Sequence, residues 1–362
     1  MHRRQVLKAG LGSVAMMLTP LSWALPAREE AAWLFSAVDD PSGGHYIAGV
    51  ALDGQTRFMI EVPERCHGGC LRPDSRQAVL FARRPGTRMH VIDGDSRQLV
   101  HSIAAGEGYH FYGHGVFDLN GRYLYVTANR LEDSAGLVRV YDANSNYAHV
   151  RDMPLDGIGP HELRLMPDGD TLVIGLGGIQ THPDYGRVKL NLDTMAPALV
   201  LMDRHNGEIM ARHTPSHHQL SCRHLDVAED GTVIAGYQFE GPEWETHPLI
   251  CRLDATGHFS EIVLAEEVTA SLKHYTASVA FSRISAYVLV TAPRGNQVLL
   301  LDAAQGNLVA SLELPDAAGA RCDGNGGFLV SSGQGGLYRV TSGSATPELL
   351  ASLDLRWDNH LT

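Results

Sequence analysis

The chain has 362 residues, of which 44% are hydrophobic and 38 are glycine, and its formal net charge is −12. A chain of this length and composition can bury a large core. Its surplus of negative charge repels phosphate backbones and anionic lipid, so we expect no nucleic-acid partner. The same charge is compatible with a cationic ligand.

The N-terminus is basic and then apolar. A pair of arginines, Arg3 and Arg4, is followed by Leu7 and Lys8 and by a weakly apolar stretch from Ala9 to Leu25, which resembles a twin-arginine export signal. The stretch is short and rich in Gly, Ser and Pro, and small residues near its end suit cleavage. We predict a signal peptide over residues 1–27 and a periplasmic mature chain, residues 28–362, without a membrane span; an uncleaved anchor is the alternative. Removal of the signal takes away three cations and moves the formal charge to −15.

From residue 30 onward, short β-rich runs alternate with turn residues, and no long segment has a helical period. Each unit runs through a Pro-Asp, Asn-Gly or Asp-Gly turn into a strand, then into a third strand that ends in Asp, and then into a fourth. Four antiparallel strands that repeat roughly every 40 to 65 residues are typical of β-propeller blades.

Six complete units can be counted, beginning at Cys66, Tyr112, Pro160, Cys222, Tyr275 and Ala318. A seventh is split, because residues 32–62 supply three strands and residues 356–362 supply the missing first one. We therefore predict an all-β, seven-bladed β-propeller in a single domain, its ring closed by N- and C-terminal strands in one blade.

The unit that begins at Pro160 carries a long connection between Ile174 and Leu199. Long loops in compact repeats are usually functional, and the topology places this insertion over the face on which the first strands begin. We predict lid contacts from this loop and from one other, made by His110, His182, Tyr185 and Arg187.

Five histidines occupy one equivalent position of the repeat. His67, His114 and His161 are spaced by 47 residues each, and His224 and His360 stand at the corresponding point of two further units. In a ring these imidazoles converge on the mouth of the central channel, and neutral imidazole is the commonest protein ligand of Zn, Cu and Fe. We predict a metal site formed by these five, with an open side where two units lack the histidine. The alternative is that each histidine only ties its blade together by a hydrogen bond.

Other residues are expected around this cluster. Glu162 and Asp226 could orient imidazoles from the second coordination shell. Loops on the same face should present Arg83, Asn129, Gln238 and Arg294 to an anionic chelate or a partner protein. Cys66 and Cys70 flank His67, so a disulfide or a thiolate ligand is one interpretation and a small buried residue is the other.

Four segments stand out from the repeat: residues 110–115 (HFYGHG), 157–163 (GIGPHEL), the insertion from Gly177 to Met195, and 357–360 (WDNH). Together with the paired arginines at the N-terminus, they resemble one bacterial family, the domain of unknown function 1513. The resemblance covers essentially the whole mature chain and implies a twin-arginine-exported, seven-bladed propeller. Such proteins are often encoded near imelysin-like iron-regulated proteins and di-haem oxidoreductases, which implies periplasmic iron or copper handling. Cys66 and Cys70 depart from the family pattern.

Two classes of function follow. The first is a periplasmic propeller that binds iron or copper, in preference to zinc, and is redox-active or serves iron uptake. The second is a metal-free scaffold that docks partner proteins of an iron-uptake or redox assembly. The sequence carries no Ser-His-Asp elbow, Walker loop or dinucleotide fingerprint, and it does not decide whether the protein is an enzyme.

Overall fold

A computed structural model describes residues 33–73 and 75–362 of the chain. The signal peptide that we predict over residues 1–27 lies outside the described residues. The described chain forms seven four-stranded antiparallel sheets, which confirms the all-β, seven-bladed propeller. No helix in this part of the chain is long and apolar enough to cross a membrane.

Blades 2 to 7 each use four consecutive strands, in order from the innermost outward. Blades 2, 3 and 4 are Cys66–Leu71, Gln77–Ala82, Arg88–Asp93 and Gln98–Ala104; then Tyr109–Phe117, Tyr123–Arg130, Gly136–Asp142 and Ala148–Pro154; then Pro160–Leu165, Thr171–Leu176, Ala198–Asp203 and Ile209–His213. Blades 5, 6 and 7 are Leu220–Val227, Val233–Phe239, Ile250–Leu253 and Phe259–Glu261; then Val279–Phe281, Tyr287–Ala292, Gln297–Asp302 and Leu308–Glu313; then Ala317–Cys322, Phe328–Ser332, Gly336–Val340 and Glu348–Ser352.

Blade 1 is assembled from both ends of the described chain. Its strands Trp33–Asp39, His45–Ala51 and Thr56–Glu61 pair in that order, and Arg356–Trp357 pairs with the first of them to complete the sheet. Thr362 exchanges two backbone hydrogen bonds of 2.9 Å with Phe35, which extends the contact past the short strand. The predicted closure is therefore confirmed.

The core lies between neighbouring blades. The second and third strands of the blades are rich in Val, Ile and Leu and are almost wholly buried, whereas the outermost strands alternate between exposed and half-buried residues. Val79 and Phe81 of blade 2, for example, pack in one cluster with Phe111 and Val126 of blade 3. Each sheet thus buries both faces against its neighbours, and the core consists of separate hydrophobic clusters between the blades around the ring.

Few helical segments interrupt the strands. One α-helix, Glu266–Ser271, precedes blade 6, and single 3₁₀ turns lie at Ala143–Ser145 and Pro293–Gly295. Two further 3₁₀ turns, Pro183–Tyr185 and Leu192–Thr194, lie within the insertion between the second and third strands of blade 4.

Candidate metal centre

The innermost strands direct four of the five histidines toward the axis through local breaks in their pairing, whereas His360 follows the short strand Arg356–Trp357. The register of each ladder shifts at or beside the histidine, between Cys66 and Gly69, Phe111 and Gly115, Pro160 and Glu162, and Cys222 and His224. Such bulges leave a residue unpaired and re-aim side chains. The repeat therefore places not only a histidine but also the bulge that turns it inward.

Glycine makes the close approach of the histidines possible. Gly113, directly before His114, has φ of 99°, a conformation that L side chains rarely adopt. A Cβ on Gly68 would lie only 2.6 Å from Nδ1 of His114. Side chains at these two positions would push neighbouring histidines apart.

The five predicted histidines meet in one buried cluster. Ring centroids lie 4.5 Å apart for His224 and His360, 4.7 Å for His161 and His224, and 5.8 Å for His67 and His161. The most exposed of the five, His360, keeps only 8% of its surface accessible. Residues separated by almost 300 positions in sequence thus form a single site.

Two carboxylates orient two of the rings. Asp358 Oδ1 lies 2.5 Å from Nδ1 of His67, and Glu162 Oε2 lies 3.0 Å from Nδ1 of His224. A neutral imidazole in this position donates its Nδ1–H to the carboxylate and keeps the Nε2 lone pair for another partner. This carboxylate–histidine arrangement is the usual second shell of a metal site.

The other three rings carry nitrogens without a hydrogen-bond partner among the described residues. They are Nε2 of His114, Nδ1 of His161 and Nε2 of His360. Burial lowers the pKa of all three rings well below the ordinary value, and the neighbouring histidines lower it further. These rings are therefore neutral, and each has a buried nitrogen that no described residue hydrogen-bonds; in one of the two tautomers that nitrogen offers a lone pair.

Two overlapping groups of side chains could hold an ion. One is His67, His114, His161 and His224, and the other is His114, Glu162, His224 and His360; within each group the ligand atoms lie within 4.8 Å of one another. Nitrogens bound to one tetrahedral ion at about 2.1 Å would lie roughly 3.4 Å apart. The ligand atoms of the first group would therefore have to move closer together to bind an ion.

A layer of charge lies beyond the histidines along the inner strands. Glu162 also accepts from the backbone N–H of Leu225 at 3.2 Å and pairs with Arg164 at 2.5 Å. Asp226, predicted to orient an imidazole, instead accepts from the backbone N–H of Phe281 and lies 3.7 Å from Arg164. No ring histidine of the described chain contacts Asp226, so of the two predicted second-shell carboxylates only Glu162 reaches the rings.

On the opposite side of the rings is a small cavity at the mouth of the channel. The centre of a water-sized species can occupy about 30 Å³ of it, so the cavity is small but can hold a bound species. Histidines and arginines make up most of its lining. The cavity is lined by His67, His161, His224, Arg83, Arg84, Arg187 and Arg223, together with Gln238, Tyr275 and Asn359.

The insertion lies over this mouth, and Arg187 is its contribution to the cavity. Tyr112 donates to the carbonyl of Ile179 at 2.9 Å, and Lys189 pairs with Glu240, so the loop is held by blades 3 and 5. Tyr185 is 61% exposed and contacts His182 away from the cavity. Of the lid residues predicted in this loop, only Arg187 faces the histidines.

The remaining predicted residues have separate positions. His110 is fully buried, with Nδ1 3.1 Å from the carbonyl of Phe111. Asn129 accepts from the backbone N–H of Gly159 and lies under the mouth loops rather than in the cavity. The guanidinium carbon of Arg294 lies 5.0 Å from the ring centre of Tyr275, and Arg294 lines a neighbouring surface pocket. Arg83 and Gln238 do line the cavity.

All five cysteines are free thiols. Cys66 is buried beside the cluster, and burial raises the pKa of its thiol, so it remains protonated. No cysteine belongs to either histidine-containing ligand group. The geometry thus favours the interpretation of Cys66 as a small buried residue.

Several residues of the site were not predicted from the sequence. Asp358 lies two positions before His360 but serves His67, so its role depends on which blades are neighbours. Arg223 directly precedes His224 at the bulge of blade 5, and this adjacency was the available signal. Tyr275 and Asn359 hydrogen-bond to each other across the mouth at 2.8 Å.

Comparisons with known proteins agree with this architecture. A solved structure of Kuenenia stuttgartiensis hydrazine synthase matches with a TM-score of 0.64 over 86% of this chain and 95% of that chain, at 14% sequence identity. At that identity the likeness shows the fold alone. No curated protein matches in sequence. A protein family matches residues 60–362, which include all five histidines of the cluster, and the chain belongs to that family, described as "Protein of unknown function (DUF1513)".

Proposed function

We propose that the protein is a periplasmic metal-binding propeller that holds an iron or copper ion at the five-histidine cluster. The observation that carries the proposal is the set of buried nitrogens of His114, His161 and His360 that lack a partner within the described chain. Leaving a buried polar atom unsatisfied costs about 1 to 3 kcal/mol. An ion on the axis would satisfy several of these lone pairs at once.

The donor set supports a transition metal. Imidazole suits Zn, Cu, Fe and Ni, whereas Mg²⁺ and Ca²⁺ prefer oxygen ligands. The preference for iron or copper over zinc rests on the setting that the family resemblance implies, and the periplasmic location rests on the N-terminal arginine pair. The cavity above the rings supports an exchangeable coordination position, as redox chemistry or metal delivery would need.

The first test is the metal content of the protein exported through its own N-terminus, measured by mass spectrometry. We expect close to one iron or copper ion per chain, and its loss from a His114→Ala, His161→Ala double variant. The matched control is His217→Ala, His247→Ala. These two histidines form a partly exposed group with Glu245, which could bind metal adventitiously.

Equal metal content in the two double variants, with the fold retained, would contradict the proposal. So would wild-type protein that stays metal-free after reconstitution with Fe²⁺ and Cu²⁺. Circular dichroism of each variant separates loss of metal from loss of fold.

A second candidate is a metal-free scaffold for a periplasmic iron-uptake or redox protein, and exposed apolar side chains favour it. The insertion exposes 57% of Val188 and 61% of Tyr185, and Trp244, in a loop of blade 5, is 84% exposed. Large exposed apolar side chains are common at binding surfaces. This candidate predicts that the histidine variants leave metal content unchanged and that substitutions at Tyr185 and Trp244 abolish binding of the partner.

A further inference from the structure

The mouth cavity is surrounded by more positive charge than the neighbouring carboxylates neutralise. Among its described lining residues are four arginines and no aspartate or glutamate. Arg83 lies 3.7 Å from Asp358, which also pairs with Arg65 and His67. Arg223 pairs with Glu240 at 2.7 Å, and Glu240 is shared with Lys189. Arg84 and Arg187 make no ion pair with any described residue.

Arg84 is a buried cation with an unused hydrogen-bond donor. Its side chain lies under the mouth with only 6% of the residue exposed, its guanidinium carbon is 5.9 Å from the ring centre of Tyr112, and its Nη1 has no hydrogen-bond partner. Burial and the nearby Arg223 lower the pKa of Arg84 to about 9, so it is still charged at neutral pH. A buried guanidinium with an unused donor is well placed to bind an anion from outside the described chain.

Other donors face the same space. Arg223 is 4% exposed, and its Nε also lacks a partner. Gln238 already uses its Oε1 to accept from Arg223 at 2.8 Å, which leaves its amide N–H groups to face the cavity. Tyr275 accepts from Asn359 and retains its O–H as a donor. Apart from the imidazole nitrogens of the histidine cluster, the cavity is therefore lined mainly by hydrogen-bond donors.

We propose that the mouth cavity binds a small inorganic oxyanion, held by Arg84, Arg187 and Arg223 directly above the histidine cluster. Guanidinium groups bind oxyanions through charge-assisted, often bidentate hydrogen bonds. The cavity is small and partly open to solvent, which favours a small inorganic ion such as bicarbonate or phosphate over a larger organic anion.

The same anion would reduce the repulsion between a bound metal ion and the arginines of the cavity. A divalent cation at the rings would face four guanidinium groups, and the repulsion would weaken its binding. An oxyanion between them compensates both charges and can occupy the open coordination position of the ion. This second role rests on the proposed metal function, whereas the arginine cage stands without it.

Isothermal titration of the full chain with inorganic phosphate and with bicarbonate tests the inference, once on protein stripped of metal and once on protein as exported. We expect one saturable site for at least one of the two ions. Arg187→Gln should raise the dissociation constant roughly tenfold or more, since a charge-assisted hydrogen bond is lost, and Arg84→Gln should do the same. The matched control, Arg294→Gln, removes a cation of the same face that lies outside the cavity and should leave the constant unchanged.

Arg187 lies in the insertion, so Arg187→Gln keeps the test decisive even if Arg84→Gln fails to fold. Absence of saturable binding in both preparations, or equal weakening by Arg187→Gln and Arg294→Gln, would overturn the inference. Normal metal content without anion binding would leave the proposed metal function standing and remove only the anion site. Arginine-dependent anion binding by a protein that holds no metal would do the reverse.

Discussion

At the scale of single residues, two carboxylates determine what the histidine cluster can do. Burial alone would raise the pKa of Asp358, but His67 together with Arg83 and Arg65 holds it well below the ordinary value. A permanent negative charge there fixes the Nδ1–H tautomer of His67, as Glu162 does for His224. Without these acceptors, His67 and His224 could adopt the other tautomer, and their Nε2 lone pairs would no longer be available to an ion.

A buried histidine outside the cluster gives a pH dependence that does not involve metal. His90, on the third strand of blade 2, is 1% exposed, and neither ring nitrogen has a partner in the described chain. Burial, with a smaller contribution from Arg88, lowers its pKa from 6.5 to about 4. Between those pH values the unfolded chain binds a proton that the folded chain excludes, so stability falls as the pH falls from about 6.5 to about 4.

We therefore expect His90→Leu to lose less stability than the wild type between pH 7 and pH 4.5, by about 2 kcal/mol. Urea unfolding of metal-stripped protein at the two pH values measures the difference. His258→Leu, which changes an exposed histidine, is the control and should follow the wild type. The same slope for both variants would show that His90 titrates normally in the folded protein.

At the scale of elements, the inner strands and the insertion have different roles in the site. The bulges in the inner strands direct the histidines inward, and the insertion covers the mouth that they line. Within the insertion, Gln180 and Leu190 lie next to each other, because the N–H of Leu190 donates to the carbonyl of Gln180 at 3.1 Å. Residues 181–189 therefore form a loop whose two ends are close together, and we call this loop the flap.

Because Gln180 and Leu190 are adjacent, the flap can be shortened without disturbing the rest of the insertion. Replacing residues 181–189 with Gly-Gly retains the Gln180–Leu190 contact as a two-residue turn and removes Arg187 and Lys189. We expect the bound metal to pass to an external chelator at least several-fold faster, since the mouth is uncovered, while the fold is kept. Stopped-flow absorbance with a chromogenic chelator measures the rate.

The control for the flap is Thr181→Ala. It removes a buried hydroxyl 3.2 Å from the Tyr112 hydroxyl without opening the mouth. An unchanged transfer rate in the shortened protein would show that the flap does not limit access to the rings.

At the scale of the whole molecule, the same C-terminal segment closes the ring and completes the histidine site. Residues 356–362 supply the inner strand of blade 1, and the same segment carries Asp358 and His360. An open ring would lack one ligand and the acceptor that orients another. Trp357, 2% exposed, fastens the segment by packing in the cluster of Leu34 and Leu337 between blades 1 and 7.

We expect Trp357→Ala to lower the free energy of unfolding by roughly 3 to 5 kcal/mol, as truncation of a buried aromatic side chain does. Trp244→Ala, at a position that is 84% exposed, should change it by less than about 0.5 kcal/mol. Urea unfolding followed by circular dichroism on metal-stripped protein compares the two. Equal effects of the two substitutions would mean that the C-terminal segment does not hold the ring closed in solution.

Sequence patterns alone were sufficient to predict the seven blades and the register of the histidines, although the first strands of blades 3, 5 and 6 begin at Tyr109, Leu220 and Val279 rather than at Tyr112, Cys222 and Tyr275. Strand periodicity and turn chemistry are local, so each unit could be identified without its neighbours, and the three-strand segment at 32–62 required a fourth strand from elsewhere. An equal position in each repeat then implied convergence on one axis, because a ring maps equivalent residues onto one circle.

Contacts between residues of different blades became visible only in the folded structure. Asp358 orients His67 and not its sequence neighbour His360, and Asp226 meets a backbone amide and an arginine instead of an imidazole. Arg84, Arg187 and Arg223 come from three blades, and their common cavity follows from blade tilt, ring diameter and loop course. These are properties of packing between units, and a pattern read within one unit carries no information about the distance to the next.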